Sequence, residues 1–240
     1  ILTKKILYWY DNNKRSLPWR KKSSQINREY YTLVSEFMLQ QTQVVTVIPY
    51  FNNFIKDIPN ISSLAKINNN KLLKYWEGLG YYSRVKNLKK TAQILKKNFK
   101  GRLPSSIEEL KLLPGIGEYT ANAIMAIGFN KPFIPLDGNI ERVIKRLLNL
   151  RLISEVSKEN LISKKKILGT SVRASDYAQA LMELGALICR PKNPLCDQCP
   201  LIKNCKSFKN NDFEITKERK KKIDKFYLLE VYKKDNKFLL

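Results

Sequence analysis

The chain has 240 residues, 43% of them hydrophobic, enough for one large or two small domains with a packed core. It carries 45 Lys and Arg against 21 Asp and Glu, and self-repulsion at a formal charge of +24 favours a polyanionic partner, although the Lys-, Asn- and Ile-rich composition also fits AT-rich coding. With no His, imidazole bases and imidazole metal ligands are excluded, so acid–base chemistry falls to Asp, Glu, Lys, Tyr or Cys. No apolar run is long enough to span a membrane, and the interrupted opening ILTKKILYWYDNN does not read as a signal peptide.

Residues 1–12 predict a short amphipathic helix with Ile6, Leu7 and Tyr10 on its apolar side. Arg15-Ser16-Leu17-Pro18-Trp19-Arg20 follows, expected to be extended around Pro18. A Trp flanked by Arg suits stacking on a base, which makes Arg15, Leu17, Trp19 and Arg20 candidate DNA-binding residues. Plain helix packing is the commoner role for such a Trp. Residues 21–28 read as polar loop. A helix over 30–39 places Tyr30, Leu33, Val34, Phe37 and Met38 on one face, with Glu36 at its border. An acid at that place is usually solvated. Gln40-Gln41-Thr42-Gln43 offers amides suited to base edges, and Thr42 is the expected N-cap of a helix over 43–55 bent by Pro49.

Short helices are predicted over 62–67 and 70–77, ended by Gly78-Leu79-Gly80. Tyr81 after this turn suits insertion between bases or simple packing. A basic helix over 83–98 carries Val85, Leu88, Ala92 and Leu95 on its apolar side. Ser105 and Glu108 have capping-box spacing and should open a helix that Pro114 stops. Gly115 and Gly117 permit positive φ in a tight turn, and a second helix is expected from near Glu118, with Ala121, Ile124, Met125 and Gly128 along it. A Gly-x-Gly turn opening a helix bares backbone N–H groups, which suits a phosphate; an ordinary helical hairpin fits the same residues. Asp137 is a good N-cap for a helix over 140–148.

Residues 157–168 predict another basic helix, and Ser175 is the expected cap of a helix reaching 187, with Gln179 and Glu183 one turn apart. Cys189, Cys196, Cys199 and Cys205 are spaced C-x6-C-x2-C-x5-C. Four thiolates suit zinc or an iron–sulfur cluster; zinc more often uses two C-x2-C pairs or added His. Arg190, Lys192, Lys203 and Lys206 surround the cysteines. Residues 209–225, with KERKKK at 217–222, read as a basic linker. The alternation of FYLLEVYKKDNKFLL over 226–240 predicts a β-hairpin turning near Lys234-Asp235-Asn236, too small to be a stable domain alone.

SEFMLQQTQVVTVIPYF at 35–51, GLGYYSRVKNL at 78–88, LPGIG at 113–117 with an Asp twenty residues past Gly117, and the cysteine spacing together resemble the MutY-type adenine DNA glycosylases of the helix-hairpin-helix superfamily. The resemblance runs over about residues 7–205. It implies an all-α, two-lobed core over 1–208 with a C-terminal [4Fe-4S] loop at 189–205 held by the four cysteines. It further implies that 226–240 are the first strands of a truncated Nudix-like domain, the part that reads 8-oxoguanine in the family. Carried over residue by residue, Glu36 is the catalytic acid and Asp137 faces the sugar of a flipped nucleotide. Gln41 is a wedge in the base stack, Tyr81 enters the duplex, the turn at Gly115 and Gly117 grips a phosphate, and Gln179 contacts the adenine. The implied partner is double-stranded DNA with adenine opposite 8-oxoguanine or guanine, bound by a cytoplasmic, nucleoid-associated monomer. Endonuclease III-type lyases share much of this pattern but carry a Lys where Tyr119 stands here, so a monofunctional enzyme is expected, with Tyr119 near the sugar. An endonuclease III-like lyase on oxidised pyrimidines and a non-catalytic DNA-binding protein are the alternatives.

Overall fold

The computed structural model describes residues 2–150, 158–213, 232–234 and 237–239. Two separate apolar cores organise it. One is built by α2 (Gln25–Leu39), α3 (Val44–Asp57), α4 (Ile61–Lys66), α5 (Asn69–Lys74), α6 (Ser83–Asn98), α7 (Ile107–Lys111) and α8 (Glu118–Ala123). The other gathers α1 (Leu2–Asn13), α9 (Gly138–Leu148), α10 (Lys158–Lys164) and α11 (Ala174–Glu183), with the cysteine loop and α12 (Lys206–Lys209) against it. The chain's first helix thus docks on its C-terminal half, and the two-lobed helical expectation holds.

The first lobe follows its periodicity. Tyr30, Leu33, Val34, Phe37 and Met38 are buried together, and Trp76 and Phe54 fill the centre against them. Val85, Leu88, Ala92 and Leu95 seat α6 on α4. In α1 the buried face is Ile6, Trp9 and Tyr10, with Leu7 at its edge, so Trp9 takes a core place that the residue pattern had not marked.

Several ends differ from expectation, each for a local reason. Pro18 does not lie in an extended strand: Leu17 before it is extended, and Pro18 opens a 3-10 turn to Arg20, where its missing N–H costs nothing. The stretch 21–28 is not all loop, because Ser24 caps α2 by accepting from the Asn27 amide. The cap of α7 is Ser106, one residue later than Ser105; its hydroxyl accepts from the Glu109 amide and also donates to Glu108. Thr42 does not cap α3; Gln43 holds that position, and the Thr42 hydroxyl turns to the Gln40 carbonyl. Ser175 lies inside α11, which Arg173 precedes as cap, and its hydroxyl donates to the Ile127 carbonyl. Gly117 does not use positive φ: it is extended at −92°, whereas Gly115 turns at +81°.

Two helices end in π turns, α8 through Ile124–Gly128 and α11 through Leu184–Ile188. The second carries Gly185 against α9, where a methyl group would lie 2.6 Å from Asn139 Cβ and 2.7 Å from its carbonyl oxygen. At the far end, β1 (Tyr232–Lys234) pairs antiparallel with β2 (Lys237–Leu239), matching the expected hairpin where it is described. The expected turn at Asp235-Asn236, the linker from 214 onward and the start of the 157–168 helix lie outside the described residues.

Gly185→Ala is expected to destabilise the protein by about 1–3 kcal/mol, because the obstacle is backbone and not a movable side chain. Thermal melting of the variant beside the parent checks this; equal melting temperatures would show that α9 yields freely.

Candidate active site

A cavity of about 770 Å³ opens where the two lobes face each other. The first lobe contributes Glu36 and Ser35 from the last turns of α2, Gln40 to Val45 from the following loop, and Tyr119 from α8. The second contributes Asp137, Asn139, Gln179 and Glu183, and the turn between α1 and α2 adds Arg15, Leu17, Trp19 and Arg20. Nine residues expected from sequence meet here: Arg15, Leu17, Trp19, Arg20, Glu36, Gln41, Tyr119, Asp137 and Gln179. Tyr81, Gly115 and Gly117 are exposed elsewhere on the first lobe, and the cysteines form a separate site.

Glu36 is not the solvated acid its position on the helix allowed. It is 5% exposed, and burial pushes its carboxyl from 4.5 up to about 7, with the Tyr119 hydroxyl drawing it back and the negative charge of Asp137 raising it further. Tyr119 is itself held well above the usual phenol range by burial and by both carboxylates. Asp137 keeps its role as N-cap, accepting from the Ile140 amide at 2.7 Å and from Asn139 Nδ2 at 2.8 Å. Burial raises its carboxyl, while the Ile140 amide, Asn139 and the charge of Arg142 oppose that rise. Two carboxyl groups therefore border one cavity in unlike surroundings. Asp137 sits at a helix N-terminus among donors, and Glu36 sits in an apolar wall with a phenol.

The cavity floor is ionic. Glu183, fully buried, accepts from Arg15 Nε at 2.9 Å, Arg15 Nη2 at 2.8 Å and Arg20 Nη2 at 2.9 Å. Burial works to raise this carboxyl, but the bonds and charges of the two arginines prevail and hold it low. Arg15 and Arg20 thus line the cavity with their guanidinium groups already engaged by Glu183. Trp19 packs edge-on against Phe51, with ring centroids 5.3 Å apart. Gln179 Nε2 donates to the Ser175 carbonyl at 3.1 Å, leaving its amide oxygen free of that bond.

Asn139 and Arg142 escaped sequence reasoning; only their nearness to Asp137 marked them. Arg142 donates from Nε to the Cys189 carbonyl at 2.6 Å and from Nη2 to the Gly185 carbonyl at 2.7 Å and Asn139 Oδ1 at 2.8 Å. Arg146, one turn on, donates to the carbonyls of Arg190 at 2.6 Å and Pro191 at 2.8 Å. The four cysteines are free thiols lining one small cavity with Ile188, Pro194, Phe208 and Phe213. Among the described residues, no three Cys, Asp or Glu side chains converge closely enough to hold a single metal ion.

The chain belongs to the HhH-GPD superfamily of base excision DNA repair proteins, whose family model matches residues 34–166. Within that superfamily it is similar to curated adenine DNA glycosylases. That of Buchnera aphidicola subsp. Baizongia pistaciae is 43% identical over 219 residues, covering 90% of this chain and 61% of the relative. That of Buchnera aphidicola subsp. Schizaphis graminum is 37% identical over 246 residues, covering 99% and 69%. The Homo sapiens protein is 40% identical over 212 residues, covering 84% and 38%, so the chain spans only part of each relative's length. A thermostable thymine-DNA glycosylase shares the fold, with a TM-score of 0.75 at 24% identity over 87% of this chain and 95% of that one. A trapped endonuclease III–DNA covalent intermediate also shares it, with a TM-score of 0.70 at 20% identity over 88% and 95%.

Because the folded state holds the Glu36 carboxyl above its unfolded value of 4.5, stability linked to this group is fully present below pH 4.5 and is lost as pH rises to about 7. Glu36→Gln lacks this loss. Its stability should match the parent at pH 4 and exceed it by about 3 kcal/mol above pH 7. Denaturant titrations at pH 4, 6 and 8 read the difference; a constant offset at all three would show that Glu36 does not titrate as its burial requires.

Proposed function

We propose that this protein is a monofunctional adenine DNA glycosylase, hydrolysing the N-glycosidic bond of adenine paired with 8-oxoguanine or guanine in duplex DNA. The observation that carries the reading is the unequal pair of carboxyl groups lining one cavity, with the Tyr119 hydroxyl bonded to Glu36. Adenine leaves poorly as an anion, so its departure needs a proton, and the sugar left behind develops positive charge. Glu36, buried and held near pH 7, is suited to deliver that proton to the base. Asp137 has more donors around it, so of the two it is the group to stay ionised and face the cationic sugar. One preorganised ionic contact of this kind contributes on the order of 3–4 kcal/mol in the transition state. The glycosidic bond then breaks, the base carries off the Glu36 proton, water adds at C1′, and its released proton restores Glu36.

Tyr119 takes part through its hydroxyl, which bonds to Glu36 and orients it. A phenol cannot form a Schiff base with the opened sugar, which is why strand cleavage is not expected. Gln179, which lines the cavity with its amide bonded to Ser175, suits contact with a flipped base, and the exposure of Gln41 and Tyr81 on the first lobe suits entry into the duplex. The Gly115–Gly117 turn and the basic surface are suited to backbone phosphates. Residues 226–240 fit the start of a Nudix-like domain that reads 8-oxoguanine.

Cys189, Cys196, Cys199 and Cys205 suit a [4Fe-4S] cluster. They surround a common cavity, and their unequal C-x6-C-x2-C-x5-C spacing with no His in the chain suits a cluster better than the paired C-x2-C or Cys/His sets usual for zinc. Bound there, the cluster would tie the end of the π turn at Cys189 to the loop through Cys196, Cys199 and Cys205, and no step of base removal passes through it.

Single-turnover cleavage of a duplex with adenine opposite 8-oxoguanine tests the enzyme. Strand breaks are expected only after alkali, with a rate that falls as pH rises through about 7, where Glu36 loses its proton. Glu36→Gln and Asp137→Asn should each lower the rate by at least about a hundredfold. Breaks without alkali that borohydride traps would instead mean a lyase, and tight binding without product a DNA-binding protein. For the cluster, purified protein should absorb near 400 nm and contain iron; colourless protein loaded with zinc would refute the assignment.

A further inference from the structure

Among the non-glycine residues in the left-handed region are Gln41 at φ 58° and Tyr81 at φ 47°, on two loops of the first lobe. That conformation is unfavourable for L side chains, so something must over-determine it. Both loops converge on a single side chain, Arg84, which is 6% exposed in the first turn of α6. The two N–H hydrogens of its Nη1 are shared among four acceptors, the carbonyls of Phe37 at 3.2 Å, Met38 at 2.8 Å and Gln40, and the Thr42 hydroxyl at 3.2 Å. Its Nη2 donates to the carbonyls of Leu79 at 2.9 Å and Gly80 at 3.1 Å. The guanidinium also lies over the rings of Trp76, 5.4 Å from its centroid, and Tyr81, 5.6 Å from its centroid.

These partners divide into two groups. Phe37 and Met38 end the helix that carries Glu36, and Gln40 and Thr42 flank Gln41. Leu79 and Gly80 lead directly into Tyr81. One planar cation thus closes the negative end of α2 and fastens both loops to it. The second loop has further support where Trp76 Nε1 donates to the Gly80 carbonyl at 3.2 Å and the Tyr50 hydroxyl to the Glu77 carbonyl at 2.8 Å. The first has no comparable side-chain tie from the other elements of its lobe except Arg84, as far as the described residues show.

We infer that Arg84 is a positioning residue that locks the Gln41 and Tyr81 loops into one rigid two-pronged wedge, so that both prongs enter DNA together and drive extrusion of the target base. Arg84 itself is walled off from DNA and from the cavity; it acts through the loops. The inference rests on the glycosylase reading for its role in extrusion, and on the geometry alone for the coupling of the loops. The fork is required, because a lysine ammonium has three donors at one point and cannot span both sets of carbonyls.

The test uses Arg84→Lys and Arg84→Gln in the full chain, with two readouts. Hydrogen–deuterium exchange of the unbound protein should show faster exchange in 39–43 and 78–82 together, with 107–125 unchanged. With DNA, 2-aminopurine beside the target adenine should report less extrusion, and single-turnover excision from a stable duplex should slow by about tenfold or more, equivalent to about 1.4 kcal/mol. Excision of an adenine already unpaired in a bulge should stay within about threefold of the parent, an asymmetry that a merely weakened fold does not produce. Loops that protect normally, or equal slowing on both substrates, would overturn the inference. A parent protein that binds DNA but never excises adenine would instead defeat the glycosylase reading, while the exchange data would still decide whether Arg84 couples the loops.

Discussion

The feature on which the site depends is a carboxyl group kept from water beside a second carboxyl. Ionising Glu36 in its apolar wall is costly, and the negative charge of Asp137 adds to the cost. A chain tolerates this only where the rest of the fold is secure without it. Here each lobe has its own continuous core, so the cavity between them is bordered by helices that are already fixed by packing. The strained pair sits at the seam, and neither core has to pass through it.

Other buried charge near the seam is treated in the opposite way. Glu183 is as inaccessible as any residue in the chain, yet it meets two arginines with bonds near 2.9 Å and stays ionised. The contrast shows how one fold treats carboxyl groups lining the same cavity differently. Two arginines hold Glu183 low, amides and a nearby arginine oppose the burial that raises Asp137, and a phenol alone opposes the burial that raises Glu36 to about 7.

The N-terminal end of α9 is where the second lobe concentrates its constraints. Asp137 caps the helix, Gly185 lets the π turn after α11 close on Asn139, and Arg142 and Arg146 reach from successive turns to the backbone of the cysteine loop. The loop has little regular structure, and these arginine bonds act together with Leu201, buried in the second core, and Leu195 beside it to orient it. Burying these guanidinium ends against carbonyl groups satisfies the carbonyls, although Arg146 Nε is left buried without a partner, and the loop's Lys192 and Lys203 face outward.

Much of this was legible from the chain alone, because local physics governs it. Helical periodicity located most helices, Asp137 announced a cap, and the cysteine spacing announced four thiols around one cavity. The position of Tyr119 two residues after the second glycine was likewise a matter of order along the chain. Caps at Ser105, Thr42 and Ser175 were misplaced by one or two residues, since several polar side chains competed for each helix start and packing chose among them. The character of Glu36 was beyond sequence periodicity. Whether an acid at the edge of a stripe is solvated or desolvated depends on what covers it, and its cover comes from α8 and the opposite lobe, far along the chain. The same holds for Arg84, which reads as one more cation in a basic helix until the fold closes six oxygen acceptors around it. Order and periodicity along the chain set the elements; long-range burial set the charges, because desolvation is a property of the assembled interior.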